Sequence, residues 1–162
     1  MKPRGILQAK DSAFRLLKVR VRSVKEMRDR LKSKGYDPAV IEATVDFLRG
    51  TRFLDDELFA RLWVSSRVKK PFGFRRIRQE LRLKGIDPRL VENAIAGAQA
   101  EFCEQKAMEK IARQKAKTLA ALPRPKARAR LYGLLVRRGF SSQAVADVLD
   151  LVLPDRRDAD VQ

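Results

Sequence analysis

The sequence predicts an all-α protein of three tandem three-helix modules forming an elongated, slightly curved body. Three observations carry this reading. A helix–turn–helix pattern recurs three times, at offsets of 50 and then 54 residues, and periods of this size mark modular helical arrays. Apolar residues recur at helical spacing throughout, with no alternating run that would mark a strand. The glycines and prolines fall mostly between the periodic segments, as punctuation.

The expected order is a tail over residues 1–10, modules over 11–50, 51–100 and 101–153, and a polar tail over 154–162. Each module begins with a longer helix, expected at 11–21, 55–69 and 101–122. In the first module Ser23-Val24-Lys25-Glu26 reads as a capping box that starts the second helix. Pro71-Phe72-Gly73 and Pro123-Arg124-Pro125 break the chain before the matching helices of the other two. Met27/Leu31, Ile77/Leu81 and Leu131/Leu135 share one face of these second helices. Gly35, Gly85 and Gly139 then stop them, because glycine takes a left-handed cap without strain. An apolar residue follows, Tyr36, Ile86 or Phe140, and then an N-cap, Asp37, Asp87 or Ser141. Pro38 and Pro88 suit the first position of the third helix. Its buried stripe is Val40, Ile41, Val45 and Leu48 in the first module, Leu90, Val91, Ile95 and Ala98 in the second, and Val145, Val148, Leu149 and Val152 in the third.

Composition restricts the function. The 162 residues hold 37 Lys/Arg against 20 Asp/Glu, a net charge of +17 that implies a polyanionic partner. There is no histidine, and Cys103 is the sole cysteine, so the usual general base and nearly every zinc site are absent. No glycine-rich phosphate loop is present. The expectation is a non-enzyme with no cofactor and no metal. Cys103, beside Phe102, reads as partly buried filler. No segment has the length or apolarity of a signal peptide or a membrane span, so a cytoplasmic, soluble protein is expected.

The basic residues are concentrated. Residues 15–34 hold nine, 67–84 hold eight and 106–138 hold eleven, 28 of the 37 in all. Lys25, Arg28 and Lys32 form one helical stripe, and Arg75, Arg78 and Arg82 occupy the same repeat positions in the second module. With Lys69 and Lys70 at the end of the preceding helix, these are the candidate residues for binding nucleic acid or an acidic protein surface. In the third module the stripe positions are Ala129, Tyr132 and Val136, and charge moves to Arg128, Arg130, Arg137 and Arg138. The aromatic cluster of Phe53, Phe59, Trp63, Phe72 and Phe74 reads as core packing before base stacking.

Phe53-Leu54-Asp55-Asp56-Glu57-Leu58-Phe59-Ala60, followed by Arg67, Gly73, Arg76-Ile77, Glu80-Leu81 and Lys84-Gly85-Ile86, resembles the signature of the RecX family. Phe74 departs from it, standing where the family often has proline, and Ser141-Ser142 replaces Asp-Pro in the third module. A monomer is expected, although the sequence itself does not specify an oligomeric state, and the resemblance implies a regulator of the RecA recombinase. It would bind RecA filaments on single-stranded DNA, with double-stranded DNA as a further nucleic-acid partner. It would inhibit their ATPase, growth and strand exchange in recombination, DNA repair and the SOS response. The signature residues Phe53, Leu54, Asp55, Asp56, Phe59, Ala60, Arg76 and Glu80 themselves read as structural. Asp55 or Asp56 suits a helix cap, and Arg76 and Glu80 stand at i, i+4. The alternative is a sequence-independent DNA-binding protein acting through phosphate contacts alone.

Overall fold

Each predicted helix forms, and its ends follow from local chemistry. The computed structural model describes residues 5–70 and 72–153. Among these lie nine helices and no strand: α1 (Ile6–Val19), α2 (Val24–Ser33), α3 (Pro38–Gly50), α4 (Asp56–Val68), α5 (Phe74–Leu83), α6 (Pro88–Gln99), α7 (Glu104–Thr118), α8 (Arg124–Arg137) and α9 (Ser142–Val152). Helix α1 starts before the expected residue 11 because Ala9 lies on its buried face and needs the preceding turn, where its N–H bonds the Gly5 carbonyl at 3.2 Å. Helix α7 starts and stops inside the expected 101–122. Pro71 and the tail from residue 154 lie outside the described residues.

The three inter-helix turns are chemically alike. Gly35, Gly85 and Gly139 have φ of +77°, +75° and +91°. In each, the glycine N–H bonds a carbonyl three residues back, and the next N–H reaches one residue further, to Leu31, Leu81 and Leu135 at 3.3, 3.1 and 3.3 Å. This is the Schellman pattern, closed by an apolar contact across the turn. Tyr36, Ile86 and Phe140 supply that contact and are buried.

The caps differ more than the turns. Ser23 and Glu26 form the full capping box. Ser141 accepts from the Ala144 N–H at 3.2 Å, and Asp87 from the Arg89 N–H at 2.8 Å. Asp37 makes no side-chain cap, so α3 relies on Pro38, whose missing N–H removes one unpaired donor. Cys103 is exposed, contrary to expectation: it is the N-cap residue of α7, with extended backbone that turns its side chain out of the helix face.

The chain divides into two compact units. One takes the chain up to Trp63 together with Glu80–Ala94; the other takes Val64–Gln79 and the chain from Ile95 onward. In the first, α1, α2 and α3 pack mutually, burying Met27, Leu31, Val45 and Leu48 completely. Each such side chain contributes about 1.5–3 kcal/mol. The Tyr36 hydroxyl donates to the Gln8 carbonyl at 2.9 Å and accepts from Ser12 at 2.8 Å, so the polar groups of this core are satisfied. In the second unit α7, α8 and α9 pack mutually around Met108, Leu131, Leu135, Phe140 and Leu149.

Candidate functional site

In the first unit the basic stripe of α2 is largely neutralised. Lys25 pairs with Asp29 at 3.1 Å, one turn on. Arg28 grips Glu42 of α3 through Nε and Nη2, at 2.8 and 2.6 Å, and this fork holds the Glu42 carboxyl below its usual range. Lys32 is exposed and has no ion pair with a described residue. Beside the stripe, Glu26 receives Arg20 at 2.8 Å and Lys84 at 2.5 Å. Burial pushes its carboxyl up, but the hydrogen bonds from Arg20 and Lys84 outweigh this and hold it at about 2, against an ordinary 4.5. Ser23 adds a 2.7 Å bond to the Lys84 carbonyl, so the start of α2 is fastened to the end of α5.

The family-like motif forms the frame around this junction. Asp55 caps α4, accepting from the Leu58 N–H at 2.9 Å. Asp56 instead reaches across to the Val24 N–H, also at 2.9 Å, and caps α2. Its half-buried carboxyl is pushed upward by desolvation. Leu54, Phe59 and Ala60 are buried. Phe59 stacks on Trp63, whose indole N–H donates to Glu80 at 3.0 Å, while the Lys84 ammonium lies 4.5 Å from the Trp63 ring centroid. Phe53 is exposed rather than a packing anchor, because it leaves a turn whose next residue, Leu54, points inward; it touches Phe14 edge-on. A groove of about 910 Å³ borders these caps. Its rim mixes Arg49, Arg52 and Arg61 with Asp55, Glu57 and Asp87.

The second unit treats its charges differently. Arg76 lies flat over Phe72, 4.1 Å from the centroid, and Arg67 approaches the same ring at 5.9 Å. Gly73 and Gly139 meet backbone to backbone, with the Gly73 N–H on the Arg138 carbonyl at 2.9 Å. Beside them a hollow of about 420 Å³ is lined by Arg75, Arg76, Gln79, Val136, Arg137 and Gly139, with no carboxylate. A second groove, about 400 Å³, runs along α7. Its cations are Lys69, Lys70, Lys110, Lys115 and Arg138, again without a carboxylate in the lining. None of these five has an ion pair with a described residue. On α5, Arg75 is exposed and Arg78 half-buried in this unit, while Arg82, which belongs to the first unit, is exposed.

Sequence reasoning singles out Lys69, Lys70, Arg75 and Arg78 for this unit. It did not assign Lys110 or Lys115, although the window of eleven basic residues contained them. Their spacing from Ala107 and Ile111 was the available signal. Among the described residues no three His, Cys, Asp or Glu side chains are grouped to hold a metal ion. No described helix is long and apolar enough to cross a membrane.

Residues 9–48, 55–95 and 103–149 match the descriptions "RecX, first three-helix domain", "RecX, second three-helix domain" and "RecX, third three-helix domain", in that order. The "Regulatory protein RecX" of Mycolicibacterium smegmatis is 34% identical over 158 residues, covering 93% of this chain and 82% of the relative. The chain belongs to the RecX family. A more distant "Regulatory protein RecX", from Clostridium botulinum, is 28% identical and covers 90% of this chain and 68% of its own. The crystal structure of RecX from Lactobacillus salivarius shares the fold, with a TM-score of 0.79 at 20% identity over 91% of this chain and 96% of that one. Another crystal structure of regulatory protein RecX gives the same TM-score at 23% identity, over 90% of this chain and 71% of that one. RecX membership makes this chain a relative of named regulatory proteins along nearly its whole length.

Proposed function

We propose that this RecX-family chain is a non-enzymatic regulator that binds RecA filaments on single-stranded DNA. Binding inhibits their ATPase, growth and strand exchange, in the control of recombination and DNA repair. The observation that carries this reading is the match, in order, to all three RecX domains, with relatives named as regulatory proteins. The charge distribution supports it. A net +17 raises the rate of encounter with any polyanion. A filament of nucleoprotein offers both phosphate and acidic protein surface to the exposed Lys32, Arg75 and Arg82.

The carboxylate-free hollow lined by Arg75, Arg76 and Arg137 favours a second reading, DNA binding through phosphates alone. One comparison separates the two. Wild type and an Arg75→Glu, Arg78→Glu, Arg82→Glu variant are bound to RecA-coated and to naked single-stranded DNA at one salt concentration. The regulator reading expects tighter binding to the coated strand and a larger loss there in the variant. Equal losses on both would favour the phosphate-only reading.

A further inference from the structure

The geometry points to the groove along α7 as a docking site for an acidic, amphipathic segment of a partner protein. Two features of its lining specify that chemistry. The first is charge. Lys69 and Lys70 follow the end of α4, Lys110 and Lys115 stand on α7, and Arg138 caps α8. No carboxylate lines the groove, and none of the five cations is ion-paired with a described residue. Cations brought together without counter-charges repel one another, and an anionic occupant relieves that repulsion.

The second feature is the floor. Val68, Ala107 and Ile111 are aliphatic, and Phe102 is the one aromatic in the lining. Phe102 is half-buried and meets Phe74 edge-on, ring centroids 6.0 Å apart at 89°. Single strands bind by stacking successive bases on aromatic faces, and the groove has one ring, already met edge-on by Phe74. Apolar side chains flanked by carboxylates fit both floor and rim. Ala107, Lys110, Ile111, Gln114 and Lys115 recur at i, i+3, i+4, i+7 and i+8, so one face of α7 presents apolar and cationic positions side by side. An amphipathic helix laid into a groove reads such a face through its own i, i+3, i+4 positions.

The docking site does not depend on the filament reading, and its test contains no recombinase. The probe is a fluorescent peptide of about four helical turns, made of Glu, Asp, Ala and Leu, with leucines along one face. Its anisotropy is followed on addition of the full chain. Binding is expected. It weakens at least about tenfold when the leucines become serine, and as much in Lys110→Glu, Lys115→Glu protein. Lys126→Glu, Arg130→Glu carries the same charge change on exposed residues outside the groove lining and is expected to bind within about twofold of wild type. Three results would overturn the proposal. One is an equal loss in both variants, which is bulk charge. Another is indifference to the leucines. The last is failure of the peptide to bind, whether or not oligothymidylate binds and is lost in Lys110→Glu, Lys115→Glu; if it is, the groove belongs to nucleic acid.

Discussion

Helix α2 and helix α7 carry similar basic runs, yet one spends its charge inside the protein and the other presents it. On α2, Lys25 and Arg28 are ion-paired, and the adjacent Arg20 and Lys84 converge on Glu26. On α7, Lys110 and Lys115 line a groove that holds no carboxylate. Counting cations does not distinguish these regions; the position of the nearest acid does. Residues 15–34 contain Glu26 and Asp29 among nine cations, and Glu42 reaches in from α3, whereas residues 106–138 contain one acid among eleven cations. The first unit therefore uses charge to join helices, whereas the α7 groove of the second gathers cations with no carboxylate in its lining.

The largest expected effect breaks the likeness of the repeats. Gly35 and Gly139 hold the same turn, but a side chain on Gly35 would meet nothing within 4 Å. One on Gly139 would strike Arg76, whose backbone nitrogen would lie at 2.6 Å. Gly35→Ala bears only the left-handed strain, about 1–2 kcal/mol. Gly139→Ala adds a backbone collision and is expected to cost about 3 kcal/mol or more. Urea midpoints of the two variants measure the gap, and equal losses would contradict the packing of Gly139.

A smaller effect sharpens the claim that charge joins helices in the first unit. Glu26→Gln removes the negative charge that faces Arg20 and Lys84 and is expected to cost about 1–2 kcal/mol at neutral pH. The Glu26 carboxyl is depressed in the folded state, so its stabilisation is full above the ordinary 4.5 and fades as pH falls toward about 2. The stability difference between wild type and Glu26→Gln should therefore shrink across that acidic window. A difference that stays constant with pH would mean that packing, not charge, is responsible.

The smallest effect concerns the exposed pairs. Lys25→Gln and Arg28→Gln are each expected to alter stability by no more than about 1 kcal/mol, since both pairs are open to solvent. Because the pairs are weak, stability measured in high salt should differ little between these variants and wild type.

Local rules explain what was legible in the sequence. The repeat, the glycine turns at Gly35, Gly85 and Gly139, the Ser23–Glu26 box and the apolar faces depend on neighbours within about one helical turn. What was hidden depends on distant partners. Asp56 caps α2 rather than its own helix, across 32 residues. Glu42 reaches Arg28 across 14. Phe53 and Cys103 sit at boundaries where a one-residue change of direction decides burial, and periodicity does not specify that direction. The α7 groove was hidden for the same reason, since Lys69, Lys110 and Arg138 come from three separate segments.

The proposed regulatory role is tested most directly by titrating the purified chain into a RecA–single-stranded-DNA ATPase assay at fixed salt. The account predicts inhibition at amounts well below one chain per recombinase, weakened in the Arg75→Glu, Arg78→Glu, Arg82→Glu variant. Inhibition that begins only when the chain saturates the DNA would contradict it, and would leave competition for phosphate as the whole of the activity.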